Sequence, residues 1–141
     1  MALDVGTKTV GVALCDEGRM LARPLLTVAR RGVRQDVAVL LEIVRREAVV
    51  GIVVGLPLAL DGAETRMVRL ARQVGEALAE LSGLPMAWQD ERFSSIEAEN
   101  RLIAAGRRGA DRKARIDQAA AAVILQDFLD GPQGKTLGAR V

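Results

Sequence analysis

Histidine is absent from this chain of 141 residues. That absence excludes Ser-His-Asp and Cys-His nucleophile systems and any His-ligated zinc centre. Cysteine occurs once, as Cys15, so no disulfide can form within the chain, and a reducing, cytoplasmic setting is expected. Cys15 follows the apolar run Val10 to Leu14 and reads as a small core residue rather than a reactive thiol. Aromatic residues are nearly missing. Only Trp88, Phe93 and Phe128 occur, which argues against recognition of single strands by base stacking. No apolar run approaches the roughly 20 residues of a membrane span. The start, Met1-Ala2-Leu3-Asp4, lacks the basic and apolar regions of a signal peptide.

Half of the residues are hydrophobic, enough for one domain with a real core. The net charge is only +2, but the cations are mostly arginine. Arginine forks match phosphate oxygens in pairs, so an anionic partner fits; an arginine-rich proteome fits equally well.

Hydrophobic periodicity sets out the elements. Met1 to Asp4 and Val10 to Cys15 read as strands, the second apolar throughout, as in a strand covered on both faces. After the turn Asp16-Glu17-Gly18-Arg19, a third extended stretch runs from Met20 to Val28. Tight connections make these three an antiparallel meander. Val37, Leu40, Leu41 and Val44 mark a helix over 33–48, and 49–55 is a buried strand ended by Gly55-Leu56-Pro57. A second helix is predicted from near Asp61-Gly62, burying Met67, Leu70, Val74, Ala77, Leu78 and Leu81. Met86 to Asp90 is the fifth strand. Ser94 with Glu97 resembles a capping box that starts a helix at Ser95. A basic loop, Gly106 to Arg115, then leads to a last helix from about Ile116 to Leu129. Helix-linked strands at the end require parallel pairing with right-handed crossovers. The expected fold class is therefore α/β: a mixed five-stranded sheet, an antiparallel three-stranded meander plus two parallel strands, with helices on both faces. No internal repeat or linker interrupts it.

Acids stand at three places where they are costly or exposed to function. Asp4 closes the first strand before a glycine-containing turn, a position that serves either a strand-end site or simple turn capping. Asp90-Glu91-Arg92 ends the fifth strand. Alternation puts Asp90 on the face of Trp88 and Glu91 on that of Gln89, so one of the two can point into a site. Asp117 shares a helical face with Ala120, Ala121, Ile124 and Phe128, where a lone acid is expensive to bury. Acids from distant segments gathered at strand and helix ends suit a two-metal site for phosphodiester cleavage.

These residues carry a resemblance. Asp4-Val5-Gly6-Thr7-Lys8-Thr9-Val10-Gly11, Ile52-Val53-Val54-Gly55-Leu56-Pro57, Asp61-Gly62, Asp90-Glu91-Arg92 and Ile116-Asp117-Gln118-Ala119-Ala120-Ala121, in that order, resemble the YqgF family, also called RuvX, from Leu3 to about Leu129. The resemblance implies a ribonuclease H-like nuclease domain over 1–131. The tail over 132–141 begins at Gly131-Pro132, lacks apolar periodicity, and is expected to be disordered. The resemblance also implies a metal-dependent endonuclease acting on structured nucleic acid and processing the 5′ end of precursor 16S ribosomal RNA in ribosome biogenesis. The alternative is a Holliday-junction resolvase of DNA recombination and repair. Asp4, Glu91 and Asp117 are carried over as catalytic residues and ligands of two Mg²⁺ or Mn²⁺ ions, with Asp90 as the substitute for Glu91. Lys8, Arg92, Arg112, Lys113 and Arg115 are the candidate phosphate contacts. In one respect the chain departs from the family, whose first strand is longer; only three residues precede Asp4. Either the true start lies upstream of Met1, or the central strand is short.

Nucleic acid is thus the expected partner, with the ribosome or its proteins as a further one, and the chain a monomer or homodimer. Junction resolution needs two symmetric cuts and hence a dimer. Two other readings share some of the same residues. Asp-x-Gly-Thr also opens the phosphate loop of actin-like and sugar-kinase ATPases, of whose two such domains this chain supplies one. A non-catalytic RNA-binding module would keep the acids without using them.

Overall fold

The computed structural model describes residues 1–91, 109–134 and 136–137, with side chains of the second block from residue 118 onward. Its elements are β1 (Ala2–Val5), β2 (Thr9–Cys15), β3 (Ala22–Ala29), α1 (Val33–Arg46), β4 (Ile52–Leu56), α2 (Arg66–Ser82), β5 (Met86–Asp90) and α3 (Gly109–Asp130). The strands form one sheet in the order β3-β2-β1-β4-β5. β1 and β3 flank β2 antiparallel, while β4 pairs in parallel with both β1 and β5. The mixed sheet read from the sequence is the one formed.

The two faces differ in residue size. Leu3, Val5, Val10, Val12, Ile52, Val54 and Leu56 point to one face, against Val37, Leu40 and Val44 of α1 and Val68, Val74 and Leu78 of α2. The other face carries Ala2, Ala13 and Val53, which meet Ala121, Ile124, Leu125 and Phe128 of α3. Small residues on both sides of this second interface let α3 lie close to the sheet.

Two helix expectations are corrected. α2 starts at Arg66 rather than at Asp61, with the Thr65 hydroxyl accepting from the Val68 N–H at 3.3 Å. Asp61 instead organises a turn, accepting from the Ala63 N–H at 2.9 Å. Its buried row is Val68, Ala71, Val74, Gly75 and Leu78, and Leu81 is 64 % exposed. Small residues decide this rotation: a Cβ at Gly75 would lie 2.9 Å from the Trp88 ring and 3.0 Å from Val54, so backbone rather than a large side chain meets the sheet there. α3 begins by Gly109, so residues 109–115, expected in a loop, are helical. The predicted capping box at Ser94 and Glu97 lies outside the described residues. Of the tail beyond Pro132, Gly134 is buried and Leu137 packs beside Gly51.

Among the described residues, the three helices run away from the end of the sheet at which β1, β4 and β5 finish. α1 leaves from the end of β3, which pairs Ala29 with Thr9 beside that same end. For α3 the direction follows from its contacts: Ile124 touches Gly55 late in β4, and Phe128 and Leu129 reach Met1 and Val53 at the strands' beginnings. A cleft of about 460 Å³, lined in part by Met1, Cys15, Arg23, Phe128 and Leu137, opens at the far end and contains none of the acids singled out above. Among the described residues no helix is long and apolar enough to cross a membrane.

Candidate active site

β1, β4 and the edge strand β5 carry the site because parallel pairing brings their carboxyl ends level. Leu3 pairs with Val54, which sets Asp4 beside Gly55, and Gly55 pairs in turn with Gln89. One residue beyond β5, the Glu91 N–H still donates to the Leu56 carbonyl at 3.1 Å and continues the ladder. Alternation along each strand places Asp4 on the face of Ala2, which is the face that α3 covers.

Glu91 turns its side chain under β4. A Cβ at Gly55 would stand 2.8 Å from Glu91 Cδ, 3.0 Å from Oε1 and 2.6 Å from Ile124 Cδ1. Only glycine leaves room for the carboxyl group between the sheet and α3. Glu91 is 4 % exposed, and among the described residues its Oε2 has no hydrogen-bond partner. Burial first, then the negative charges of Asp4 and Asp90, push its pKa up to about 9. At neutral pH, and without a cation, the group holds its proton. Asp90 is exposed and follows Trp88 on the opposite face.

Asp4 and Glu91 are therefore brought together, close enough for one charge to disturb the other. Asp117 lies in α3, one turn before Ala121 and two before Ile124, on the half of the helix that leads toward the same sheet end. Its side chain, those of Arg112, Lys113 and Arg115, and the whole of Arg92 lie outside the described residues. Lys8 is exposed on the β1–β2 turn. Among the described residues, no three His, Cys, Asp or Glu side chains converge as a complete metal site. The pair nevertheless has the character of a partial one. A buried carboxylate oxygen without a donor, next to a second carboxylate, is costly as it stands and is satisfied by a hard divalent cation.

Sequence reasoning missed a second buried acid. Asp36, 1 % exposed, accepts from Arg30 Nε at 2.9 Å and from the Arg31 N–H at 2.8 Å. Arg30 Nη1 also donates to the Gly6 carbonyl at 3.1 Å, and the Arg30 N–H to the Lys8 carbonyl at 2.9 Å. This clamp ties the β1–β2 turn to the start of α1. The signal was available: Asp36 shares the apolar row of Leu40 and Ile43, the same pattern that drew attention to Asp117.

Comparison with known proteins points to one family. The family model described as RuvX, Holliday junction resolvase, matches residues 1–131. A protein of Sphingopyxis alaskensis named "Putative pre-16S rRNA nuclease" is 48% identical over 128 residues, covering 91% of this chain and 84% of the relative. Proteins of the same name from Anaeromyxobacter dehalogenans (44%, covering 92% and 95%) and Mesorhizobium japonicum (41%, covering 98% and 83%) are also similar. Among solved structures, Thermus thermophilus RuvC superposes with a TM-score of 0.54 at 18% identity, over 86% of this chain and 89% of that one. The same protein in complex with a Holliday junction substrate gives 0.53 at 19% identity, over 86% and 88%. The fold is ribonuclease H-like.

Proposed function

The chain belongs to the RuvX family, and we propose from that premise that it is a metal-dependent endonuclease that processes the 5′ end of precursor 16S ribosomal RNA. The observation that carries the chemistry is the buried Glu91 carboxyl group, unpartnered at Oε2 and facing Asp4. The relatives' shared name favours RNA as substrate.

Asp4 and Glu91 would hold the cations, Mg²⁺ or Mn²⁺, with Asp117 completing the set from α3. Bound there, such ions stabilise negative charge on the reacting phosphate and lower the pKa of an attacking water. The chain's own groups do the rest. Glu91 gives up its proton before it can act as a ligand, and its burial, with the charges of Asp4 and Asp90, sets how readily it does so. Gly55 keeps the space in which the Glu91 carboxyl group sits. Ile124 and the alanines of α3 exclude water from the rear of the site. Lys8, Arg92 and the cations of α3's first turns, Arg112, Lys113 and Arg115, contact backbone phosphates. With histidine absent, no imidazole serves as general base.

A second reading, resolution of four-way DNA junctions, is favoured by the family description. One assay separates the two. Wild type, Asp117→Asn and Glu91→Gln are incubated with Mg²⁺ or Mn²⁺ and either 5′-extended 16S precursor RNA or a four-way junction. Selective RNA cleavage by wild type alone is the expected result. Paired symmetric nicks in the junction, with intact RNA, would transfer the assignment to resolution. Full activity in Asp117→Asn would remove that residue from the site.

A further inference from the structure

The turn of the Arg30–Asp36 clamp leaves three cations facing outward. Lys8, Arg31 and Arg34 are exposed, and none of them enters an ion pair among the described residues. Asp36, the acid nearest in sequence to Arg31 and Arg34, is consumed internally by Arg30 and the Arg31 N–H. The backbone presenting the three is held at both ends: Arg30 bonds to the Lys8 and Gly6 carbonyls on one side and to Asp36 on the other. Charge placed on so fixed a base loses little freedom on binding.

Their position runs against helix stability. Arg31 and Arg34 flank the N-terminus of α1, where the helix dipole favours anions and disfavours cations. At the other end of α1, Arg45 and Arg46 stand where the dipole welcomes them. A fold that keeps cations at the unfavourable end, on the same sheet end as Asp4 and Glu91, offers them to an anion.

We propose that Lys8, Arg31 and Arg34 form a phosphate-contacting surface on the α1 side of the sheet end, which takes the backbone of a duplex segment beside the cleavage point. The surface rests on the nuclease reading above and extends it to the substrate's flank. β3, which leads into Arg30 and Arg31, lies two strands from β1. At about 4.8 Å per strand that is roughly 10 Å, or about three nucleotide steps at 3.4 Å along one strand of a duplex. The surface therefore meets phosphates a few nucleotides from the scissile one, on the opposite side of the sheet from Arg112, Lys113 and Arg115.

The test is binding of the full chain to a short RNA duplex and to precursor 16S RNA in EDTA, titrated between about 50 and 200 mM KCl. Compared are wild type, Arg31→Ala/Arg34→Ala and the charge-matched control Arg45→Ala/Arg46→Ala. The control pair sits about 16 Å farther along α1 at 1.5 Å per residue, beyond the Debye length of about 8 Å at 0.15 M salt. The expected result is weaker binding by the first variant, with its log–log salt slope shallower by about 0.9 per lost duplex contact. The control should match wild type. Equal slopes for all three proteins, or equal losses in both variants, would overturn the surface. Absence of any wild-type binding would overturn it too, along with the nuclease reading. A chain that cleaves RNA but shows unchanged slopes loses only the surface; one that shows the slope change but never cleaves loses only the nuclease reading.

Discussion

Glu91 shows how one residue couples fold to chemistry. Its pKa lies near 9 in the metal-free fold against an ordinary value of 4.5, chiefly because it is buried. The folded state thus holds a proton that the unfolded chain releases above about pH 4.5. The resulting stabilisation is complete below that pH and is lost as pH rises toward 9. In EDTA, the wild-type melting temperature should fall between pH 5 and pH 9, and Glu91→Gln, which stays neutral, should flatten that fall. Mg²⁺ or Mn²⁺ must displace the same proton, so the rise in melting temperature on adding metal should grow with pH in the wild type. A pH-independent metal response would separate Glu91 from the metal site. Gly55 is the complementary case. Gly55→Ala puts a Cβ 2.6 Å from Ile124 Cδ1 and 2.8 Å from Glu91 Cδ, so one of them must move. Overpacking of this kind costs about 1–3 kcal/mol. A fall in cleavage much larger than a urea melt suggests would show that the Glu91 carboxyl group, rather than Ile124, is the one displaced.

Among the elements, the join between the β1–β2 turn and α1 rests on a buried ion pair. Arg30 is the partner of a fully buried carboxylate and also caps the Gly6 carbonyl. Arg30→Ala leaves Asp36 with only the Arg31 N–H, and removal of one partner of a buried pair costs about 3–5 kcal/mol. Denaturant melts should show that loss. The double variant Arg30→Met/Asp36→Leu should recover part of it, since no uncompensated charge remains. Recovery by the double variant to no better than Arg30→Ala would mean that the Gly6 contact, not the ion pair, holds the turn. α3 is fastened differently. Gln126 accepts from the Ala22 N–H at 2.9 Å and donates to the Met20 carbonyl at 3.1 Å, so an amide side chain satisfies the start of the edge strand. That fixes the helix along its axis, and with it the position of Asp117 on its earlier turns.

At the scale of the whole molecule, the sheet has a polar end and an apolar remainder. β1, β4 and β5 deliver Asp4, Gly55 and Glu91 to one end, and α1, α2 and α3 point their N-termini back toward it. The buried Glu91, the half-buried Asp4 and the outward cations of the β1–β2 turn and α1 therefore share one rim. A nuclease needs both signs at close quarters: acids to hold metal, and cations to bring the phosphate backbone to it. Monomeric protein suffices for a single cut in RNA, whereas paired cuts in a junction require two copies related by symmetry. Light scattering of the active species, run beside the cleavage assay, should show a monomer if RNA is the substrate. A strictly dimeric active form with paired junction nicks would favour resolution.

The order of elements and the topology of the sheet were legible in the chain itself. Period-2 and period-3.6 patterns are local, tight turns force antiparallel neighbours, and right-handed crossovers leave one arrangement for the rest. The same local logic placed acids at the ends of β1 and β5. Packing decided what periodicity leaves out. The rotation of α2 follows Ala71 and Gly75, small residues that a hydrophobic pattern underweights. The length of α3 through residues 109–115 was masked by their basic composition. Alternation said that Asp90 and Glu91 face opposite ways, but only the seating of α3 against Gly55 buried Glu91 and left Asp90 in water. The pairing of Arg30 with Asp36 and the raised pKa of Glu91 arise in the same way: the energy of a charge depends on what surrounds it, and those surroundings come from segments far apart in sequence.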